Sequence, residues 1–198
     1  MNAEANSRKI QATLTKNKIF ETASDLMEEK GYNNVTIREI CEKAGVAKGT
    51  FYHYFSAKED IIIETYKRID KYYEDIIEKG FKFNDTFQKI LEVISHKAVY
   101  VQKCNIDKVK EVYKAQMEVG NNFFVSKERA SYKILYDIIR QAQENNEIIT
   151  NKTADEITTF ILISVRGIIY DWCVNNGTYD LVSYVNEYMK ETIQIFKK

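Results

Sequence analysis

Not one proline occurs in the 198 residues. Proline ends helices and shapes tight turns, and glycine, the other turn residue, appears only 7 times. A chain so poor in both cannot supply the many turns of an all-β fold. Its natural outcome is a set of long unbroken helices. The hydrophobic fraction of 44%, with 13% aromatic residues, supports a packed core and excludes a disordered chain. The length suits one ample domain, or a small domain fused to a larger one. Lys+Arg and Asp+Glu are 29 each, so the formal net charge is zero. Any binding that depends on charge must therefore be local, not the work of a uniformly basic coat or an acidic tail.

Several function classes drop out on motif grounds. Cys41, Cys104 and Cys173 are odd in number and widely spaced, so neither a disulfide framework nor a zinc site is implied, and a reducing, cytoplasmic setting is expected. The opening MNAEANSRKI has no apolar core of a signal peptide. The apolar run Phe160 to Ile163 is short, and Arg166 and Asp171 interrupt the apolar region beyond it, so no membrane span is expected. There is no P-loop, HExxH or G-x-S-x-G, and His53 and His96 are far apart. His96 and Cys104 have no metal-spaced partner. No metal, no cofactor and no enzymatic activity is expected.

The helical punctuation is legible along the chain. Residues 1 to about 8 read as a tail. Ile19, Phe20, Ala23, Leu26 and Met27 form one helical face, which Ile10 and Leu14 extend backward and Lys30-Gly31 ends. Thr36-Ile37-Arg38-Glu39 is a capping box that opens a second, short helix. A third begins near Ala47, and Ser56 is expected to cap a fourth that runs to about Gly80. Five more come after it: one opened by Asn84 or Asp85, one over about 106–119, one after Ser126, one from Thr153 to about Val174, and one from Thr178 to the end. The expected fold is all-α, with about nine helices, four and then five. The seam between two parts falls inside the fourth helix.

Residues 36 to 58 carry the chemistry. Two short helices joined at Ala44-Gly45-Val46 suit a helix-turn-helix. Ile37, Ile40, Cys41 and Ala44 mark the inner face of the first. Phe51 and Phe55, at i and i+4, anchor the second and leave Lys48, Gly49, Tyr52 and His53 outward. From Ala44 to Ala57 the sole charge is Lys48, and Lys58 comes next. A locally cationic, aromatic surface is what a polyanion needs, and Gly49 lets backbone come close to it.

The run Gly31-Tyr32, Thr36-Ile37-Arg38-Glu39-Ile40, Ala44 through Phe55 and Ser56-Ala57-Lys58-Glu59 resembles the DNA-binding domain of TetR/AcrR-type transcriptional regulators, without a gap over roughly residues 16 to 65. The resemblance implies a three-helix DNA-binding domain over 10–70, with its helix-turn-helix at about 36–55, and a helical effector-binding and dimerisation domain over 71–198. It implies DNA contacts from Thr36, Lys48, Gly49, Thr50, Tyr52, His53, Tyr54 and Lys58. Thr36 and Lys58 would take phosphates, and the others would sit on or beside a recognition helix in the major groove. Arg8, Lys9, Lys16 and Lys18 would flank the groove. The recognition helix has no arginine, which points to an AT-leaning or shape-read operator.

In the remainder, Thr153 to Val174 is apolar nearly all round, which means burial on more than one side. Pairing of this helix and the last one with their copies, as a four-helix bundle, is expected to bury Ile161, Val165, Ile169, Trp172, Val185, Tyr188 and Met189. The resemblance implies the same dimer, which would set two recognition helices about 34–36 Å apart on a pseudo-palindromic operator. Arg166 and Asp171 read as an interfacial ion pair, with Arg166 alternatively holding an anionic ligand. The middle helices are aromatic, with Tyr132, Tyr170, Phe123 and Phe124 among their residues. The effector pocket that the resemblance implies is assigned to Tyr100, Cys104, Tyr113, Met117, Tyr136, Phe160 and Arg166. The expected function is a homodimeric, sequence-specific repressor released from double-stranded DNA by a small-molecule effector. The alternative is an effector-independent architectural or nucleoid-associated DNA-binding dimer.

Overall fold

A computed structural model describes residues 2–119 and 125–198. Phe123 and Phe124 lie outside the described residues. Nine α-helices occur among the described residues: α1 (Asn2–Lys30), α2 (Ile37–Ala44), α3 (Lys48–Tyr54), α4 (Glu59–Ile77), α5 (Thr86–Lys103), α6 (Ile106–Val119), α7 (Ala130–Glu144), α8 (Ala154–Val174) and α9 (Leu181–Thr192). Helix α1 begins at Asn2, inside the stretch read as a tail. Two compact units result, Met1–Tyr66 with Lys110–Asn121 and Lys67–Val109 with Asn122–Lys198.

The first unit is packed around α1. Ile19, Ala23, Leu26 and Met27 of α1 are buried, as are Val35, Ile40, Ala44, Phe51, Phe55, Ile61 and Tyr66, together with Ala115 of α6. Local chemistry sets its helix ends. Thr36 accepts the N–H of Glu39 while the Glu39 carboxylate accepts the N–H of Thr36, the reciprocal box that starts α2. Gly45 (φ 63°) ends α2 in the left-handed region. The N–H of Val46 reaches back to Cys41 O (3.0 Å) and that of Gly45 to Glu42 O (3.2 Å), a Schellman closure. Before α4 the acceptor is Asp60 rather than the Ser56 hydroxyl: its carboxylate takes the N–H groups of Ser56 (2.6 Å) and Ala57 (3.3 Å).

In the second unit α5 lies along α9 and α7, α7 packs on α8, and α8 packs on α9. Asp85 caps α5, Thr153 and Glu156 form the box that opens α8, and Asp180 caps α9. Gln102 joins α5 to the start of α9 by donating to Asp180 (2.8 Å) and accepting from the N–H of Val182 (3.0 Å). An isolated antiparallel bridge between Ile148 and Lys197 ties down the C-terminus. Helix α8 is long and apolar enough to cross a membrane, with mean hydropathy 1.5 over 18 residues, but half of that window is buried in the protein. Its apolar character is used by the core. Cys41 and Cys173 are buried and all three cysteines are free thiols.

Candidate nucleic-acid interface

The second helix of the helix-turn-helix has an inside and an outside. Phe51 and Phe55 are fully buried and in ring contact at 5.7 Å, which fixes the rotation of α3 about its axis. Lys48, Gly49, Tyr52 and His53 then fall on one exposed face. Tyr52 is 47% exposed, with the Lys48 ammonium 5.9 Å from its ring centre. The His53 and Tyr54 rings meet edge-on at 4.8 Å. Thr50 and Tyr54 are half-buried at the sides. Nothing stands within 4 Å of where a Cβ on Gly49 would project, so the backbone there is open to approach. The acidic residues on the N-terminal side of α3 are matched with cations: Arg38 pairs with Glu42 (2.7 Å), Lys30 with Glu39 (2.7 Å) and Lys43 with Glu29 (3.7 Å). Lys48 has no ion pair among the described residues, so the outer face of α3 keeps its positive charge.

The two residues expected at phosphates have partners within the chain. Lys58 turns inward: its ammonium donates to Tyr32 O (2.7 Å) and Val35 O (3.0 Å) and stands 4.2 Å from the Tyr32 ring centre. It is a second donor to Tyr32 O, which also accepts the N–H of Val35 (3.4 Å), and it bonds Val35 O just past the 3-10 turn Tyr32–Asn34. At Thr36, hydroxyl and N–H are both spent on Glu39. Lys30 first, then the Thr36 N–H, hold the Glu39 carboxyl below its usual range. Of the flanking cations, Lys16 pairs with Glu64 (2.8 Å), while Arg8, Lys9 and Lys18 are exposed.

Sequence reasoning missed Glu111. Its carboxylate accepts the N–H of Tyr32 (3.0 Å) and pairs with Lys114 (2.6 Å). Burial pushes this carboxyl up, but Lys114 and the Tyr32 N–H outweigh it and leave it below its usual range. A single acid on an amphipathic helix gives no sequence signal of such a contact.

The residues assigned to an effector pocket are dispersed. Tyr113 and Met117 belong to the first unit, and Met117 is 70% exposed. Tyr100 is in ring contact with Tyr72 (5.4 Å), Tyr136 stacks on Tyr132 (6.1 Å), and the Cys104 thiol donates to Tyr100 O (3.4 Å). Phe160 lies outside the interior, 40% exposed and edge-on to Phe196. Asp171 accepts from Tyr179 (2.8 Å) and Asn175 (3.2 Å). The residues assigned to a dimer interface are likewise corrected. Ile161, Val165, Ile169, Trp172, Val185 and Met189 are buried within the chain's own core, and of the seven only Tyr188 is exposed. The opposite face of α8 carries Phe160, Ile163, Tyr170 and Val174 as exposed apolar side chains. Among the described residues no group of three or more His, Cys, Asp or Glu could hold a metal ion.

An exposed cationic, aromatic helix braced by a glycine-turned partner defines a helix-turn-helix regulator. Residues 19–65 match the family described as "Bacterial regulatory proteins, tetR family". Over 179 residues the chain is 27% identical to the fatty acid metabolism regulator protein of Bacillus subtilis, covering 87% of this chain and 90% of that one. It is 20% identical to the probable acrEF/envCD operon repressor of Escherichia coli K12, covering 97% and 91%. The fold is that of the Bacillus subtilis regulator FadR solved with stearoyl-CoA (TM-score 0.67, 23% identity, 89% and 96% covered). These similarities support a TetR/AcrR-type transcriptional regulator, a class of DNA-binding proteins and not of enzymes.

Proposed function

We propose that the protein is a homodimeric repressor that binds a pseudo-palindromic operator and leaves it when a small molecule occupies the C-terminal domain. The observation that carries this reading is the outer face of α3. Lys48, Gly49, Tyr52 and His53 are presented together, with an unmatched charge, on a helix anchored by Phe51 and Phe55. DNA would be read by Lys48, Gly49, Thr50, Tyr52, His53 and Tyr54. The domains are assigned as 10–70 and 71–198, and the protein acts in the cytoplasm.

The dimer is supported by the apolar stripe on α8. Phe160, Ile163, Gly167, Tyr170 and Val174 recur every three or four residues, and Gly167 at the centre has open space above it. A second copy of the same stripe is its self-complementary partner. Ligand binding is supported by the similar regulator solved in complex with stearoyl-CoA. Helix α6 begins in the second unit and carries Glu111 to the N–H of Tyr32, so a shift of α6 has a handle on the turn before α2. A hundredfold change in operator affinity needs about 2.8 kcal/mol of differential ligand binding.

Gel retardation on the intergenic DNA upstream of the protein's own gene tests the reading. Retardation with a footprint of two half-sites is expected. No retarded species at low salt, where phosphate contacts are strongest, sinks it.

A further inference from the structure

A pocket of about 420 Å³ lies between α5, the segment before it and α9, all within the second unit. None of the residues assigned to an effector pocket lines it. Its apolar walls are Phe83, Leu91 and Val99. Glu92 and His96 line it as well, and the Glu92 side chain is only 8% exposed. One Glu92 oxygen accepts the backbone N–H of Lys82 (3.0 Å). The other stands 3.8 Å from Nε2 of His96, beyond hydrogen-bond length. Burial first, with Lys82 adding to it, holds the His96 imidazole below its usual range against the pull of Glu92. At neutral pH it is therefore uncharged and no counter-ion to the carboxylate. Asn186 of α9 donates through Nδ2 to the Ser95 hydroxyl (3.0 Å), and its own carbonyl oxygen accepts nothing among the described residues.

A carboxylate withdrawn from water is costly until its oxygens meet donors. The polar groups available in this pocket are acceptors: the second oxygen of Glu92, the unprotonated ring nitrogen of His96 and the carbonyl of Asn186. An ammonium supplies the missing charge and several N–H donors at one atom, and an apolar body attached to it covers Phe83, Leu91 and Val99. An anion meets repulsion from Glu92, and a neutral donor leaves its charge uncompensated. Lys82 does not fill the role, because it brings its main chain to Glu92 and is itself exposed. We propose that the pocket between α5 and α9 binds a small organic ammonium ion with an apolar body, held by Glu92 through a charge-assisted hydrogen bond. The site is separate from the outer face of α3 and does not depend on the repressor reading. A merely structural Glu92, present to accept the Lys82 N–H, needs one oxygen and no charge, and a carboxamide serves that purpose equally.

Two probes with one skeleton test it on the full-length protein: 2-phenylethylammonium and its uncharged counterpart, 2-phenylethanol. Both are titrated while the backbone amides are followed by NMR. The ammonium is expected to bind at least about tenfold more tightly than the alcohol, the least that a hydrogen bond to a charged group contributes. It should shift the amide of Lys82, which is bonded to Glu92, and that of Phe83. Glu92→Gln keeps an acceptor for the Lys82 N–H and should bring the two affinities to within about twofold. Asn186→Asp leaves Glu92 in place and adds a second carboxylate to the wall, so it should widen the preference by up to about fivefold, the range of an exposed ion pair. That variant reads the same charge with the opposite sign, and it stands even where Glu92→Gln lowers stability. No preference for the ammonium, a preference that survives Glu92→Gln, one that Asn186→Asp weakens, or binding that leaves Lys82 and Phe83 unshifted overturns the inference.

Discussion

Lys48 and Lys58 carry the same charge ten positions apart, and the structure gives them opposite jobs. Replacing Lys58 with Met keeps the stem but removes two hydrogen bonds from an ammonium to carbonyl oxygens, at 2.7 and 3.0 Å, and a cation held 4.2 Å from the Tyr32 ring centre. The two bonds share one charge, so the loss is about 2–3 kcal/mol rather than their sum. For a chain of this size that lowers Tm by roughly 5–10 °C. Lys48 has no such partner and faces outward, so Lys48→Met should leave Tm within about 1 °C. On DNA the order reverses. Each lost phosphate contact reduces the slope of log K against log salt by about 0.9. Lys48→Met is expected to flatten that slope by about this amount per subunit, while folded Lys58→Met keeps the wild-type slope. The assays are differential scanning calorimetry and fluorescence anisotropy on a fixed operator across a salt series. A Lys58→Met protein with unchanged Tm and a flattened slope refutes the inward assignment.

Glycine substitutions should separate folding from binding. Gly45→Ala forces a side chain into the left-handed region and should destabilise by about 1–2 kcal/mol in urea titration, whereas Gly49→Ala, in open helix, should stabilise by about 0.5 kcal/mol yet weaken operator binding. Ile163→Glu puts a carboxylate on each copy of the α8 stripe, a cost on the order of 4 kcal/mol across a two-fold contact. Sedimentation should then find the 23.2 kDa chain alone, and a persisting dimer refutes the stripe. Burial lowers the Lys97 ammonium to about 7, and between there and the ordinary lysine range the unfolded chain holds a proton that the folded one lacks, so wild-type stability gains with pH across that window. Lys97→Met is therefore expected to raise Tm, most below pH 7, with the gain closing toward pH 10. Arg166, Arg129 and Asp70 are the charges that act on Lys97, and a gap that widens with pH contradicts the sign.

The features legible in the chain order are those that depend on near neighbours. The absence of proline and the capping boxes at Thr36 and Thr153 specify helices and their starts, because an N–H without a helical partner is satisfied within three or four residues. Gly45 specifies the turn, because only a residue without Cβ takes its φ without strain. Phe51 and Phe55 specify the outward face of α3, because their spacing fixes one side of a single short helix. Every question of direction across elements was answered by packing. Helix α8 is apolar all round, and no periodicity tells which side meets α7 and α9 and which is left exposed, so the residues expected at a dimer contact proved to be the chain's own core. Lys58 reads as a surface cation until Tyr32 and Val35, more than twenty positions earlier, offer it their carbonyls. Lys97 carried a faint signal, three residues after Ile94 and seven after Ile90 on the buried stripe of α5. That stripe places a charge inside but does not say what surrounds it. The charges that act on Lys97 come from Asp70 of α4, Arg129 before α7 and Arg166 of α8, and electrostatic energy depends on distance in space, which chain order does not encode.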